Sequence, residues 1–189
     1  MPRKTGLNRA LVVKTAADLV NAEGPESLTL NRLAEKLGIQ TPSLYNHIDG
    51  LPGLRRELAM LNMRALGERL AEAAIGKSGR EALLAVAQAY RAYIKEYPGL
   101  YTLSLQASRN QSAQDPALAA AEDRVVQVGL AVVSSFGLSG EDGLHAVRGL
   151  RSVVHGFATL EIAGGFGLPL DCDESFQRLV NILADGLSG

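Results

Sequence analysis

Between successive glycines and prolines, this chain spaces its apolar residues three or four apart, and no run alternates apolar and polar residues convincingly at period two. The first spacing lines side chains along one face of a helix, whereas the second would line one face of a strand. The expected fold class is therefore all-α, with about nine helices and no sheet. At 189 residues and 47% apolar side chains, the chain is long enough to bury a core of its own.

The punctuation divides the chain into helices. The first is expected from Leu7 to Ala22, with Val12, Ala16, Leu19 and Val20 on its apolar face and Gly24-Pro25 as its stop. Thr29 is placed to cap a short helix carrying Leu30, Leu33, Ala34 and Leu37, which Gly38 ends. Thr41-Pro42 reads as a cap followed by proline at the first helical position, opening a second short helix through Leu44, Tyr45 and Ile48. A longer helix is expected from Leu51 to Ala74, another from Arg80 to Tyr97, and a shorter apolar piece from Leu100 to Ser108 beyond the separator Pro98-Gly99. Arg109 to Gln114 reads as polar loop, Asp115-Pro116 opens the next helix, and Ser139 with Asp142 resembles a capping box for a helix running to Ala163. In the final helix Phe176, Leu179, Val180, Leu183 and Leu187 form the cleanest apolar stripe in the chain.

Thr29 to His47, TLNRLAEKLGIQTPSLYNH, holds the most informative chemistry. Two short helices joined by a tight turn and packed on the preceding helix make a helix-turn-helix, whose second helix enters a DNA major groove by its N-terminal end. Thr41, Pro42, Ser43, Asn46 and His47 would then lie near DNA. Hydroxyls on Thr29 and Ser43 suit phosphate oxygens, Tyr45 offers a phenolic donor, and Asn46 can pair with an adenine edge. Partial burial of Tyr45 and His47, tying the second short helix to the first helix of the chain, is the competing reading of those two residues. Charge agrees in direction: residues 1–56 carry 8 Lys and Arg against 5 Asp and Glu, and residues 57–189 carry 11 against 15. A basic head on an acidic body fits a polyanion held at one end.

The stretch resembles the DNA-binding signature of the TetR family, T-x-x-x-L-A-x-x-L-G-V-x-x-x-x-L-Y-x-H-[FV]. Thr29, Leu33, Ala34, Leu37, Gly38, Leu44, Tyr45 and His47 fill its slots, with Ile39 and Ile48 as replacements. The resemblance implies phosphate contacts from Thr29 and Tyr45, with His47 near the backbone, and positions facing bases or their flanks for Asn31, Thr41, Pro42, Ser43 and Asn46. It also implies a lysine on phosphate at the start of the fourth helix. Leu51 stands in that slot here, with Arg55 and Arg56 as candidate substitutes.

The same resemblance implies residues 1–50 as a DNA-binding domain and 51–189 as an effector-binding and dimerisation domain. RSVVHG is similar to the W-x-x-x-H-G element of one TetR subgroup, with Arg151 in the tryptophan slot. Tyr90, Tyr93, Tyr97, Tyr101, Leu105 and His155 are candidates to line a pocket for an apolar or aromatic effector, core packing being the other reading of each. Gly149, Gly156, Phe176, Leu179, Val180 and Leu183 are candidates for a homodimer interface between the last two helices. Metal-type clusters, phosphate-cradling glycine loops and a nucleophile–base set are not evident, so no catalysis, metal or cofactor is expected. The single cysteine, Cys172, and the lack of a long apolar run point to a cytoplasmic protein without a membrane span. The function expected is that of a ligand-responsive repressor on a palindromic operator. The alternative is a helical small-molecule-binding or interaction protein with weak or no specific DNA binding.

Overall fold

The computed structural model describes residues 6–111 and 115–188. Among these residues there are nine α-helices and no strand: α1 (Arg9–Glu23), α2 (Leu30–Leu37), α3 (Thr41–Leu44), α4 (Gly50–Ala74), α5 (Gly79–Glu96), α6 (Pro98–Gln111), α7 (Pro116–Ser134), α8 (Gly140–Ile162) and α9 (Cys172–Leu187). The all-α class holds. The chain divides into two compact units, one of residues 1–63 and 97–119, the other of residues 64–96 and 120–189.

In the first unit, Val12, Ala16, Leu19 and Val20 of α1 bury against Leu33, Ala34, Leu44, Ile48, Leu54 and Leu58. Helix α6 joins this core through Leu100 and Leu103. The approach of α6 to α1 is so close that only glycine fits at its start, because a Cβ on Gly99 would lie 1.8 Å from the Val20 carbonyl oxygen. The Asn21 side chain caps the same helix end, accepting from the Leu100 N–H at 2.9 Å. Pro98-Gly99 is thus the first turn of α6 as well as a separator, as proline's missing N–H allows. The helix also continues through Arg109–Gln111, where polar composition suggests loop; no proline or glycine interrupts it there. Residues 112–114 of that expected loop lie outside the described residues.

Two expected caps differ. Gln40, not Thr41, occupies the N-cap of α3, so Thr41 is its first helical residue. Ser139 is the N-cap of α8, yet its side chain makes no capping hydrogen bond. Helix α3 closes at Leu44, and the chain continues to Ile48 as turns, with the His47 and Ile48 N–H groups both donating to the Leu44 carbonyl.

In the second unit α5, α8 and α9 pack on one another. Leu83, Tyr93 and Ile94 of α5, Val154 and Ala158 of α8, and Phe176, Val180 and Ala184 of α9 are buried. Arg91 crosses this core. Its guanidinium donates twice to the Glu161 carboxylate, at 2.8 and 2.7 Å, and once to Asp173 at 2.7 Å. It also lies over the rings of Phe157 and Phe176, 5.3 and 4.9 Å from their centroids. These contacts raise the Arg91 pKa, chiefly through its hydrogen bond to Glu161, and hold the Glu161 carboxyl below the usual carboxylate range for the same reason. One cation therefore ties three helices together.

Candidate nucleic-acid interface

The frame of the site is apolar. Leu33, Ala34, Leu44 and Ile48 turn inward, which leaves the intervening residues of α2, α3 and the turn after α3 towards solvent. Gly38 stops α2 in the left-handed conformation, φ 67°, and the Ile39 N–H returns to the Ala34 carbonyl at 3.0 Å. A residue with a Cβ would strain that position, so the angle between the two short helices rests on glycine.

Thr29 caps α2, its Oγ1 accepting from the Arg32 N–H at 3.2 Å. Such a cap contributes about 1 kcal/mol, and it leaves the hydroxyl hydrogen free to donate elsewhere. Across the turn, the Thr41 hydroxyl donates to Asn31 Oδ1 at 3.0 Å. Thr29, Asn31, Pro42, Tyr45 and Asn46 are exposed, while Thr41, Ser43 and His47 are half-buried. All eight belong to the first unit. Tyr45 is 60% exposed, so its ring is not a core residue.

Several cations of this unit are bound to acids. Arg32 and Lys36 both pair with Glu23, Lys36 at 3.2 Å, and Arg9 pairs with Glu57 at 2.7 Å. Arg56 holds both oxygens of Asp115 and also reaches Glu57 at 3.2 Å. Asp115 in turn accepts from the Ala117 and Leu118 N–H groups at the start of α7. Its carboxyl is held below the usual range, first by the Arg56 hydrogen bond and then by those backbone donors, and the Arg56 pKa is raised mainly by the same bond. The cap signal at Asp115-Pro116 is legible in sequence; its partner 59 positions away is not.

The residues suggested for an effector site do not fall in one unit. Tyr90, Tyr93 and His155 belong to the second, where the two tyrosines are buried and His155 is half-buried. Tyr97, Tyr101 and Leu105 belong to the first, where Tyr101 is buried and Tyr97 packs against the core around α1. Burial lowers the His155 pKa, with a smaller contribution from Arg151. Of the residues suggested for dimerisation, Phe176 and Val180 are buried within the second unit. Gly149, Gly156, Leu179 and Leu183 are half-buried, and a Cβ on either glycine would meet nothing within 4 Å. Leu160 and Ile182, which lie off the expected stripe, are large apolar side chains 53% and 67% exposed.

A helix-turn-helix with a polar outer edge, carried by an all-helical chain, defines a DNA-binding regulator. Residues 83–183 match the family model described as the tetracyclin repressor-like C-terminal domain. An uncharacterised HTH-type transcriptional regulator of Mycobacterium tuberculosis is 35% identical over 185 residues, spanning 98% of this chain and 84% of its own. In fold, a protein of unknown function from Rhodococcus sp. RHA1 superposes with a TM-score of 0.84 at 20% identity, covering 100% of both chains. A TetR variant from Acinetobacter baumannii AYE, in complex with minocycline, superposes with a TM-score of 0.69 at 23% identity, covering 96% of each. The chain belongs to the TetR family of transcriptional regulators.

Proposed function

We propose that this chain is a cytoplasmic, ligand-responsive repressor that binds a palindromic operator as a homodimer and leaves it when a small-molecule effector binds. The observation that carries the DNA half of this reading is the exposed edge formed by Thr29, Asn31, Pro42, Tyr45 and Asn46 on a frame closed by Leu33 and Leu44. Thr29 and Tyr45 serve phosphates, as a free hydroxyl hydrogen and a solvent-facing phenol suit them to do. Asn31, Thr41, Pro42, Ser43 and Asn46 meet bases or their flanks, and His47 lies near the backbone.

The effector half is supported by family membership and by the minocycline complex of a protein with the same fold. Within the second unit, Tyr90 and Tyr93 with His155 suit an apolar or aromatic effector, because amphipathic rings supply contact area and a few polar anchors. Gly149 and Gly156 on α8, with Leu179, Leu183 and the exposed Leu160 and Ile182, supply an apolar face for a second copy. Effector binding acts by its difference in affinity between the DNA-competent and DNA-incompetent shapes.

Selection of random duplexes by the purified chain tests the reading. A repressor of this kind enriches an inverted repeat whose half-sites lie about one helical turn, or a multiple of it, apart. Enrichment of nothing overturns the DNA half. A panel of apolar and aromatic compounds that fails to release the selected duplex overturns the effector half.

A further inference from the structure

We infer that the loop between α8 and α9 is an apolar arm that docks on a second copy of this chain, extending the contact beyond the helix faces of α8 and α9; the inference rests on the homodimer reading above. From Ile162 to Leu170 the sequence is IAGGFGLPL, nine residues without a charged or hydrogen-bonding side chain. Ile162, Phe166, Leu168 and Leu170 are all exposed, Leu168 by 74% and Leu170 by 70%. With Leu160 just before them, they make up half of the ten large apolar side chains exposed among the described residues. Scattered singly, such residues need no explanation, but gathered into one patch they mark a surface that is covered in use.

The loop is fixed at both ends. Gly164 takes φ 68°, and the Gly165 N–H donates to the Leu160 carbonyl at 2.7 Å. Phe166 packs on Phe157, their ring centroids 4.6 Å apart, and Asp171 caps α9 by accepting from the Asp173 and Glu174 N–H groups at 2.7 and 2.9 Å. Leu168 and Leu170 are thereby presented outward, and little ordering has to be supplied on docking. Chemistry and area decide the occupant. The cavity beside the loop holds about 220 Å³, below the roughly 300–1,000 Å³ of small-molecule sites. None of the nine residues is a lysine or arginine that would draw an anionic lipid surface. An uncharged surface can instead face its own image, as a two-fold interface requires. Leu160 joins the loop to the face proposed for a second copy: a Cβ on Gly165 would stand 3.3 Å from Leu160 Cδ2, and Gly149, Gly156 and Leu160 fall at i, i+7 and i+11 on α8. The patch alone offers a few hundred Å² of apolar surface, short of the roughly 800 Å² per partner that a stable interface buries. The arm therefore completes the α8 and α9 faces rather than replacing them.

Sedimentation equilibrium of the full chain tests the arm. Leu168→Ser combined with Leu170→Ser removes two exposed leucines from each protomer and should raise the dimer dissociation constant by at least about tenfold. Helix content by circular dichroism should stay as in wild type, because both side chains lie outside the core. Ile75→Ser, at an equally exposed apolar residue away from the loop, should leave the constant unchanged. A benzophenone side chain in place of Leu168 should give a covalent dimer on irradiation. An unchanged constant in the double variant overturns the arm while the homodimer stands, as do an equal rise in Ile75→Ser and cross-links confined to one chain. Phosphatidylglycerol vesicles that retain the wild type and release the double variant, with no change in the constant, would make the patch a lipid surface and overturn the arm as well. A wild-type chain that sediments as a monomer throughout overturns the homodimer reading, and the arm fails with it.

Discussion

The Thr41 hydroxyl donates to Asn31 Oδ1 at 3.0 Å, joining the second residue of α2 to the first residue of α3. The two positions, expected to face bases or their flanks, are therefore one hydrogen-bonded unit, and the amide oxygen of Asn31 is already engaged. Asn31→Ala and Thr41→Val should each weaken operator binding, and the double variant should lose less than the sum. A double-mutant cycle read by anisotropy should give a coupling of about 0.5–1.5 kcal/mol. Strict additivity would mean that the two side chains act separately on DNA.

Tyr45→Phe should separate recognition from stability. The ring is exposed, so removing the hydroxyl should leave the fold unchanged while, on the proposed reading, it takes away one phosphate donor. Weakening of roughly 0.5–1.5 kcal/mol per hydrogen bond is expected in a gel-shift assay, with an unaltered melting curve. Equal affinity for the two proteins would remove Tyr45 from the interface.

Gly99→Ala should damage the first unit. The new Cβ would overlap the backbone oxygen of Val20, and backbone cannot turn aside as a side-chain tip can. Moving α6 away from α1 also stretches the Asn21 cap. Urea unfolding should register a loss of roughly 1–3 kcal/mol.

Arg91 and Arg80 both make ion pairs between α5 and α9, but in different surroundings. Arg80 pairs with Asp185 at the surface, whereas Arg91 is buried with Glu161 and two phenylalanine rings. Arg91→Met leaves Glu161 with Lys95 alone, at 2.6 Å, and should cost roughly 1.5–3 kcal/mol. Arg80→Met should cost less than about 1 kcal/mol. Comparable losses in chemical denaturation would contradict the central role given to Arg91.

His155 makes stability depend on pH. Burial lowers its pKa in the folded chain, so through and below the ordinary imidazole range the unfolded chain binds the proton more readily. Stability is thus undiminished above the unfolded pKa and falls as pH drops through it towards the lower folded value. His155→Gln should flatten that part of the pH–stability curve relative to wild type, measured by urea titration at pH values on either side of about 6.5.

Local chemistry is legible in the sequence wherever neighbours in the chain decide it. Thr29 caps and Gly38 stops α2, because both effects act over three or four residues. The boundary at Thr41 shifts by one position because Gln40 takes the extended conformation that a cap requires, while Thr41 turns its hydroxyl to Asn31. Arg109–Gln111 shows the converse limit: a polar stretch is as compatible with the end of a helix as with a loop. The partners of Arg56, Arg91 and Gly99 lie tens of residues away, and nothing in a one-dimensional pattern pairs an arginine with one particular carboxylate. The stripe in α9 is legible as apolar, but not which part of it faces inward: Phe176 and Val180 serve the chain's own core, and Ile182 remains outside.

Glu23 holds Arg32 and Lys36, and Glu57 and Asp115 hold Arg9 and Arg56. Most of the described cations of residues 6–56 are thereby neutralised at short range. Encounter with a duplex gains little from long-range attraction, so the association rate belongs nearer the unsteered 10⁵–10⁷ M⁻¹s⁻¹, roughly, than the steered limit. On the proposed reading, residence on the operator, rather than speed of arrival, then carries the difference between the right site and the wrong one.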